Sequence, residues 1–470
     1  MQQQSDTSSA QFDLAVIGSG PGGYEAALHA ARHGLKVCLV EKAALGGVCV
    51  NWGCIPTKAL LRSAEVYDLA QNPANFGVNV GEVSFDLAQA VKRSRNVALK
   101  SSKGVAYLLK KADVEVWSGE AVLTGGAGVT VTAEDGSARS LEARNIIVAT
   151  GSKQRVIPGL EPDGKKIITS REALILKEVP ASMIVVGGGA IGVEMAWFYA
   201  KAGANVTIVE LMPRILPAEE AEVSEALKRS FEKAGIAVHC GAKLDRVAVS
   251  ESGVSAELIV EGQVPQKLEA TLLLVAVGVS GAIDELGLEA AGVETERGFI
   301  RTDGQCRTSA PDIYAIGDVR GGMLLAHKAS AEAAIAVEAI AGKSPEPLSE
   351  PLIPRCVYAQ PSVASVGLTE EAAIKAGHKV VVGRSQFAAS GKANAYGQLE
   401  GFVKLVFDAA TGKMLGGHLI GHDAVELIGE LGLACRYSIT AKGLASTIHA
   451  HPTLSETVKE AAFAALQSMG

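Results

Sequence analysis

Two cysteines five residues apart are the first candidates for chemistry in this chain. They lie in residues 46–58, GGVCVNWGCIPTK, as Cys49 and Cys54. In an ideal helix this separation puts the two Cα atoms roughly 8–9 Å apart, which is beyond the reach of a disulfide. A bond between them therefore needs an irregular helix start, which could be supplied by Gly46, Gly47, Gly53 and Pro56.

The other cysteines make a metal centre or a disulfide scaffold a poor explanation of this pair. The chain has seven cysteines, an odd number, and zinc needs two more ligands at a matching spacing. Cys240, Cys306, Cys356 and Cys435 are isolated, and Cys38 lies in a strand-like run, where we expect a core residue. We therefore predict no metal and a redox-active dithiol; two inert buried thiols are the alternative.

The elements that would position the dithiol belong to a pattern that occurs twice. Residues 18–41 fall on residues 187–210 after a shift of 169 positions. Each copy has an apolar strand, a glycine-rich turn, an Ala-rich helix and a second strand that ends in an acid, which predicts two βαβ units. The shift pairs Gly18, Gly20, Gly23, Glu25, Gly34 and Glu41 with Gly187, Gly189, Gly192, Glu194, Gly203 and Glu210.

The glycine spacing in each copy is that of a dinucleotide site. The first glycine permits a tight turn, the second lets backbone N–H groups approach a pyrophosphate, and the third lets helix and strand pack closely. The terminal acids, Glu41 and Glu210, are placed to accept a hydrogen bond from a ribose hydroxyl. Because a carboxylate repels a 2′-phosphate, Glu210 favours NAD over NADP. A solvated acid at a strand end is the alternative for each.

Composition limits the remaining possibilities. The 470 residues are 48% hydrophobic and include 52 glycines, which indicates an α/β protein of several domains. A net charge of −7 with scattered basic residues disfavours nucleic acid as a partner. No apolar run approaches a membrane span, and the start MQQQSDTSSA lacks the features of a secretion signal. We expect a soluble, cytoplasmic protein.

Two dinucleotide sites next to a dithiol suggest an electron relay. A nicotinamide moves two electrons as hydride, whereas a dithiol releases them through thiolate, and a flavin can exchange electrons with both. The first βαβ unit is followed directly by the cysteines and is therefore the expected flavin site.

With these motifs in this order, the chain resembles the flavoprotein disulfide reductases over nearly its whole length after the first ten residues. The resemblance implies that Gly18, Gly20, Gly23 and Glu41 bind the ADP half of FAD. It implies that Asp318, in the segment YAIGD, holds the ribitol chain; a helix N-cap is the alternative role for Asp318. Further FAD contacts are implied for Lys58, Ala149, Thr150, Gly151, Gly317 and Ala326, and NAD contacts for Gly187, Gly189, Gly192, Glu210 and Gly278.

The same resemblance assigns the catalytic residues. It makes Cys54 the thiol beside the flavin, Cys49 the thiol that meets the substrate, and Lys58 the partner of Glu194 near the ring. Thiol exchange needs a base with a pKa near ambient pH, which suits histidine. The family pattern gives this role to His451, oriented by Glu456 and acting across a homodimer; His449 is the competing candidate.

The implied fold is α/β, with two Rossmann-like dinucleotide-binding domains plus an α+β C-terminal dimerisation domain. We expect the FAD domain at residues 1–155 and 279–349, the NAD domain at 156–278 and the interface domain at 350–470. One departure from the family is that Val279-Ser280-Gly281 replaces the usual Arg-x-Pro-Asn.

The expected activity is oxidation of dihydrolipoamide to lipoamide with reduction of NAD⁺. The expected partners are a second copy and the lipoyl domains and acyltransferase core of 2-oxo acid dehydrogenase or glycine cleavage complexes. Glutathione- or mercuric-reductase-like activity and a complex-docking scaffold are the alternatives.

Overall fold

The computed structural model describes residues 11–126 and 128–469, so the polar start at residues 1–10 lies outside the described residues. The α-helices of this part are α1 Pro21–Arg32, α2 Gly47–Trp52, α3 Cys54–Gln71, α4 Leu87–Lys111, α5 Ser170–Ala173, α6 Ala190–Ala202, α7 Ala221–Lys233, α8 Ala326–Ile340, α9 Glu370–Lys375, α10 Gly391–Tyr396, α11 Ala424–Arg436, α12 Ala441–Ser446 and α13 Glu456–Met469.

Strands alternate with these helices through most of the described chain. They are β1 Phe12–Ile17, β2 Val37–Glu41, β3 Glu115–Ser118, β4 Glu120–Gly125, β5 Gly128–Thr132, β6 Ala138–Val148, β7 Ser152–Gln154, β8 Ile167–Ile168, β9 Ser182–Val186, β10 Asn205–Glu210, β11 Ala237–Cys240, β12 Ala242–Val249, β13 Val254–Val260, β14 Gln266–Ala270, β15 Leu272–Val275, β16 Val279–Gly281, β17 Thr295–Glu296, β18 Phe299–Ile300, β19 Ile313–Ala315, β20 Arg355–Val357, β21 Ser362–Gly367, β22 Val380–Gln386, β23 Gly401–Asp408 and β24 Met414–Gly421.

The first compact unit comprises the described residues through Ala59, Lys92–Arg155 and Gly278–Leu348. Its parallel sheet has the order β3-β2-β1-β6-β19. The long strand β6 pairs antiparallel with β5 over its first part and parallel with both β1 and β19 over its last part. Along β1, Leu14 and Val16 enter one apolar core while Ala15 and Ile17 enter another. The sheet is therefore covered on both faces, as parallel sheets are.

The second compact unit comprises Leu60–Val91, Val156–Val277 and the described residues from Ser349 onward. It contains a parallel sheet of order β11-β10-β9-β15-β8, an antiparallel sheet β12-β13-β14 and an antiparallel sheet of order β20-β21-β24-β23-β22. The predicted duplication is confirmed, because the shift of 169 positions carries β1-α1-β2 onto β9-α6-β10.

A buried ionic cluster in the second unit ties the start of α7 to the five-stranded antiparallel sheet. The ammonium of Lys404, on β23, is 1% exposed and lies 2.9 Å from Glu220, 2.5 Å from Glu222 and 2.7 Å from Glu370. Bonding to the Arg384 guanidinium lowers the pKa of Glu222 to about 2, and Lys404 acts in the same direction. Because an ammonium already lies among these carboxylates, they form an ion-pair cluster that holds α7 in place.

No helix in the described ranges is both long and apolar enough to cross a membrane.

Candidate active site

The first and third glycines close each predicted dinucleotide loop. Gly18 has φ +99° and Gly187 has φ +109°, backbone conformations that favour glycine. A Cβ on Gly23 would lie 1.9 Å from the carbonyl oxygen of Gly18, and a Cβ on Gly192 equally close to that of Gly187. Any side chain at the third position would therefore break the loop. We call residues 18–23 the first glycine loop and residues 187–192 the second glycine loop.

The second glycine of each loop faces open space. A Cβ on Gly20 or on Gly189 would meet no atom within 4 Å. These two residues are also the N-caps of α1 and α6, and neither helix has a side-chain cap. The N–H groups of the first turn and the positive end of the helix dipole are thus available to an anion at both places. Both loops fit a pyrophosphate.

The two acids are held by backbone N–H groups at the rim of their loops. Glu41 accepts bonds from the N–H of Ser19 at 2.9 Å and of Ala43 at 2.8 Å. Glu210 is 8% exposed and accepts bonds from the N–H of Gly188 at 2.5 Å and of Met212 at 2.7 Å. Each carboxylate is thereby fixed in orientation beside its glycine loop, where a ribose hydroxyl could donate to it.

The structure joins Cys49 and Cys54 in a disulfide with a Cα–Cα distance of 4.7 Å. Helix α2 ends at Trp52, and Gly53 leaves the helical region with φ −147° and ψ −110° before α3 begins at Cys54. The predicted irregularity is confirmed, and the break brings the two Cα atoms to about half the distance an ideal helix would leave between them.

The buried free cysteines do not compete with this pair for redox chemistry. Cys38, Cys306 and Cys435 are buried, as expected for Cys38 in strand β2. Burial raises the pKa of each of these three thiols to about 12. At neutral pH they are protonated and therefore poor nucleophiles.

Ser19 links the first glycine loop to the dithiol segment, which we define as residues 45–59. Its hydroxyl donates to Glu41 at 2.6 Å and accepts from the N–H of Gly46 at 3.1 Å. The same Gly46 N–H reaches the Ser19 carbonyl oxygen at 3.1 Å. A Cβ on Gly47 would lie 2.7 Å from the Cα of Gly20, so α2 begins in contact with the loop.

Sequence reasoning did not single out Ser19, although the duplication carries a signal for it. At the corresponding place of the second copy stands Gly188. The N–H of Gly188 donates to Glu210, as the N–H of Ser19 does to Glu41, but Gly188 has no hydroxyl that could bond to the following segment. The serine occurs only in the copy that the cysteines follow.

Helix α4 braces the dithiol segment from one side. Ser94 donates to the carbonyl oxygen of Pro56 at 3.0 Å, and Ser102 donates to that of Leu45 at 2.8 Å. Arg95 bonds to the carbonyl oxygen of Asn51, and its guanidinium lies 4.1 Å from the ring centroid of Trp52. The disulfide is therefore supported from two sides within the first unit, by the glycine loop and by α4.

The loop that carries Asp318 is fixed by a buried ion cluster. Asp318 accepts a bond from the Ser152 hydroxyl at 2.8 Å. It lies inside the 3₁₀ turn Gly317–Arg320, whose N-cap is Ile316, so Asp318 does not cap this turn. Glu332, 1% exposed, accepts from the Gly317 N–H at 2.7 Å and pairs with Lys328 at 3.1 Å.

Lys328 and Glu332 were missed from the sequence. Their signal is an oppositely charged pair four residues apart in the otherwise Ala-rich helix α8, which begins at Ala326.

The segment that departs from the family pattern forms a short antiparallel ladder. Val279-Ser280-Gly281 is strand β16 and pairs with β7. Next to it the Thr150 hydroxyl donates to the Ala282 carbonyl oxygen at 2.8 Å, and the Ala282 N–H donates to Gly151 at 3.0 Å. Gly278 precedes the strand with φ +96°. This ladder holds the turn after β6 without an arginine.

Glu194 is a buried residue. It is 5% exposed, and its Oε1 accepts the N–H of Tyr358 at 3.0 Å. Lys58 is half-buried on α3, four residues after Cys54. The pairing of Lys58 with Glu194 stays a prediction.

The two C-terminal histidines differ in which ring nitrogens are engaged. His451 Nδ1 lies 2.9 Å from Glu456, and the side chain is 78% exposed. The side chain of His449 is 5% exposed, with Nε2 at 2.8 Å from Glu430 and Nδ1 at 3.0 Å from the Thr447 carbonyl oxygen. His451 therefore keeps Nε2 for a reacting group, whereas both nitrogens of His449 face acceptors.

Glu456 is well placed to orient His451. Its second oxygen accepts the N–H of Thr453 at 2.9 Å. This bond and the one to His451 hold the pKa of Glu456 below its usual value. The carboxylate thus stays charged beside the imidazole, which favours the tautomer with a proton on Nδ1.

Comparison with known proteins identifies the class to which this fold and site belong. Residues 12–333 match the family model of the pyridine nucleotide-disulphide oxidoreductases, and residues 353–462 match the dimerisation domain of the same family. The chain belongs to this family.

Dihydrolipoyl dehydrogenases are among the relatives that match this chain. The dihydrolipoyl dehydrogenase of Chlorobaculum tepidum is 88% identical, and the match covers 100% of both chains. That of Zymomonas mobilis is 46% identical, and the match covers 97% of this chain and 98% of the relative. Among solved structures, LpdA of Mycobacterium tuberculosis superposes with a TM-score of 0.89 at 30% identity. The flavoprotein disulfide reductase RclA of Escherichia coli has a TM-score of 0.84 at 27% identity. Both superpositions cover 96% of this chain and 99% of the other.

Replacing Ser19 with Ala should weaken flavin binding about tenfold, because a charge-assisted hydrogen bond to Glu41 is worth on the order of 1.5 kcal/mol. Flavin retention by the purified holoenzyme in equilibrium dialysis measures this. Ser182→Ala is the matched control, since that hydroxyl lies at the start of β9 and contacts Thr271. Equal flavin retention in the Ser19 variant and the wild type would refute the role of the hydroxyl.

Proposed function

We propose that this chain catalyses the NAD⁺-dependent oxidation of protein-bound dihydrolipoyl groups to lipoyl groups. The observation that carries the proposal is the Cys49–Cys54 disulfide, whose helix α2 begins on the first glycine loop. The full-length similarity to dihydrolipoyl dehydrogenases supports the choice of substrate. A second glycine loop with its own acid supplies the site for the second nucleotide.

The thiol chemistry balances as a disulfide exchange. One substrate thiolate attacks Cys49, which breaks the Cys49–Cys54 bond and leaves a mixed disulfide and the Cys54 thiolate. The second substrate thiol then attacks the substrate sulfur of the mixed disulfide, closes the lipoyl ring and passes its proton to the departing Cys49 thiolate. The substrate has lost two electrons and two protons, and the protein holds the electrons as a dithiol. The first glycine loop and Glu41 would hold FAD, which would supply two-electron exchange between this dithiol and NAD⁺.

His451 is proposed as the base for this exchange. Its Nε2 takes the proton of the attacking substrate thiol, and Glu456 stabilises the imidazolium that results. Because the C-terminal segment matches a dimerisation domain, we assign this role to the partner subunit's His451 in a homodimer. Among the large apolar side chains that the same segment exposes, Leu433, Tyr437 and Ile448 could be covered by a dimer.

The cofactors are assigned by loop. FAD is assigned to the first glycine loop, Glu41 and the Asp318 turn, with Lys58 and Glu194 near the ring; NAD⁺ is assigned to the second loop and Glu210. The corresponding domains are residues 1–155 and 279–349 for FAD, 156–278 for NAD⁺ and 350–470 for the interface. The partners are the lipoyl domains and acyltransferase core of 2-oxo acid dehydrogenase or glycine cleavage complexes in the cytoplasm.

Replacing Cys49 with Ser should abolish dihydrolipoamide oxidation and leave the flavin bound, because Cys49 makes the bond to substrate. NADH formation and flavin absorbance of the purified protein measure the two effects. Cys240→Ser is the matched control, a half-buried thiol outside the dithiol segment. Normal turnover in the Cys49 variant, or a wild-type protein purified under native conditions without flavin, would contradict the proposal.

Replacing Glu210 with Gln should shift nucleotide preference toward NADP⁺. Glutamine keeps the side-chain volume and an acceptor for one of the two N–H groups, that of Gly188 or that of Met212, but removes the charge that repels a 2′-phosphate. We expect the ratio of kcat/KM for NADP⁺ to that for NAD⁺ to rise about tenfold, the equivalent of ~1.4 kcal/mol. Steady-state kinetics with both nucleotides measure the ratio, and an unchanged ratio would refute the ribose assignment.

A further inference from the structure

Positive charge is concentrated on helix α4. Sequence reasoning treated the basic residues as scattered and did not recognise this cluster. The whole chain has a net charge of −7, yet this helix of 25 residues contains no acidic residue. Its seven basic residues are Lys92, Arg93, Arg95, Lys100, Lys103, Lys110 and Lys111.

The charges in the middle of the helix lie on its exposed side. Ala98, Val105 and Leu109 are buried and form the inner face. The outer face carries Lys100, Lys103, Tyr107 and Lys111. These residues follow one another at spacings of three or four and therefore lie on the same side of the helix. In the described part of the chain, none of the lysines on this outer face has a carboxylate partner.

Apolar side chains accompany these lysines. Tyr107 is 64% exposed, Leu99 53% and Leu108 44%. We define the α4 face as Leu99, Lys100, Lys103 and Tyr107. Ammonium groups next to an exposed aromatic and an exposed aliphatic side chain are the composition of a binding surface for an acidic partner.

Helix stability does not explain the two central lysines. Lys110 and Lys111 interact favourably with the negative C-terminal end of the helix dipole. Lys100 and Lys103 lie too far from that end for this effect and repel one another at a spacing of three residues. A helix selected for stability alone would alternate the two signs of charge along its surface.

The position of the α4 face points to its use. The opposite side of the same helix donates hydrogen bonds to the dithiol segment through Ser94 and Ser102. A helix is about 10–12 Å across, so a domain seated on the α4 face would lie about one helix diameter from the dithiol segment. A substrate carried by a protein domain must bring its dithiol to this place.

We propose that the α4 face steers an acidic protein domain that carries the dihydrolipoyl group to the Cys49–Cys54 dithiol. This inference rests on the proposed function and adds the recognition of the macromolecular substrate. The matched dimerisation domain begins at residue 353, outside α4, which argues against a second copy as the occupant. The net negative charge of the chain and the exposed leucine argue against nucleic acid.

The test compares one reaction on two substrates. The double variant K100E/K103E, the neutral variant K100Q/K103Q and the wild-type holoenzyme are assayed with free dihydrolipoamide and with a recombinant dihydrolipoyl domain of net negative charge. At an ionic strength of about 0.02 M, kcat/KM for the domain should fall about tenfold in K100E/K103E and less in the neutral variant. At about 0.5 M the difference should vanish, because salt screens exposed charges. Values for free dihydrolipoamide should be unchanged throughout.

Lys165→Glu/Lys243→Glu is the matched control, because it makes the same charge change in the second unit and should leave both substrates unaffected. Equal kcat/KM for the domain in wild type and K100E/K103E would overturn the proposal, as would an equal loss with the free substrate. A change in the oligomeric state of K100E/K103E in size-exclusion chromatography would assign the face to a second copy and overturn the proposal. Loss of DNA-oligonucleotide binding in this variant, with unchanged kcat/KM for the domain, would assign the face to nucleic acid and also overturn the proposal. Absence of dihydrolipoamide turnover by the wild type would refute the proposed function itself.

Discussion

The hydrogen bonds that run from Glu41 through Ser19 to Gly46 set the position of the disulfide relative to the first glycine loop. The Ser19 hydroxyl donates to the Glu41 carboxylate, at the ribose end of the predicted cofactor site, and accepts from the N–H of Gly46 in the dithiol segment. Gly47 packs on Gly20 at a distance that excludes any side chain. The predicted cofactor site and the thiol pair are therefore parts of one local structure, and each constrains the other.

The two copies of the βαβ unit share one loop geometry but lead into different structures. Both loops close by the contact of the third glycine with the first, and both leave the second glycine facing open space. The copies differ in the segment that comes after the acid. After Glu41 the chain enters the dithiol segment, whereas after Glu210 it reaches α7, whose start is held by Lys404 and its three carboxylates. The segment after the first copy holds the disulfide in position, and the segment after the second copy holds helix α7 in position.

Local sequence was sufficient to predict the features that depend on residues close together in the chain. The glycine spacing predicted both βαβ units, and the glycines around the cysteines predicted the break between α2 and α3. Features that join distant segments were not predictable in this way. Lys404 and Glu220 are 184 positions apart, and nothing near either residue indicates the other. Glu194 likewise accepts a hydrogen bond from the N–H of Tyr358, 164 positions away. The charge of α4 was readable in the sequence, but its outward orientation needed the structure.

The central claim is that a disulfide and a flavin share one site, and counting electrons tests it most directly. Anaerobic reduction of the purified holoenzyme with dithionite, followed by absorbance and by thiol counting, gives the electrons taken up per flavin. Since a disulfide and a flavin each accept two electrons, the account predicts four electrons per flavin and two new thiols per subunit. Uptake of only two electrons with no new thiols would contradict it.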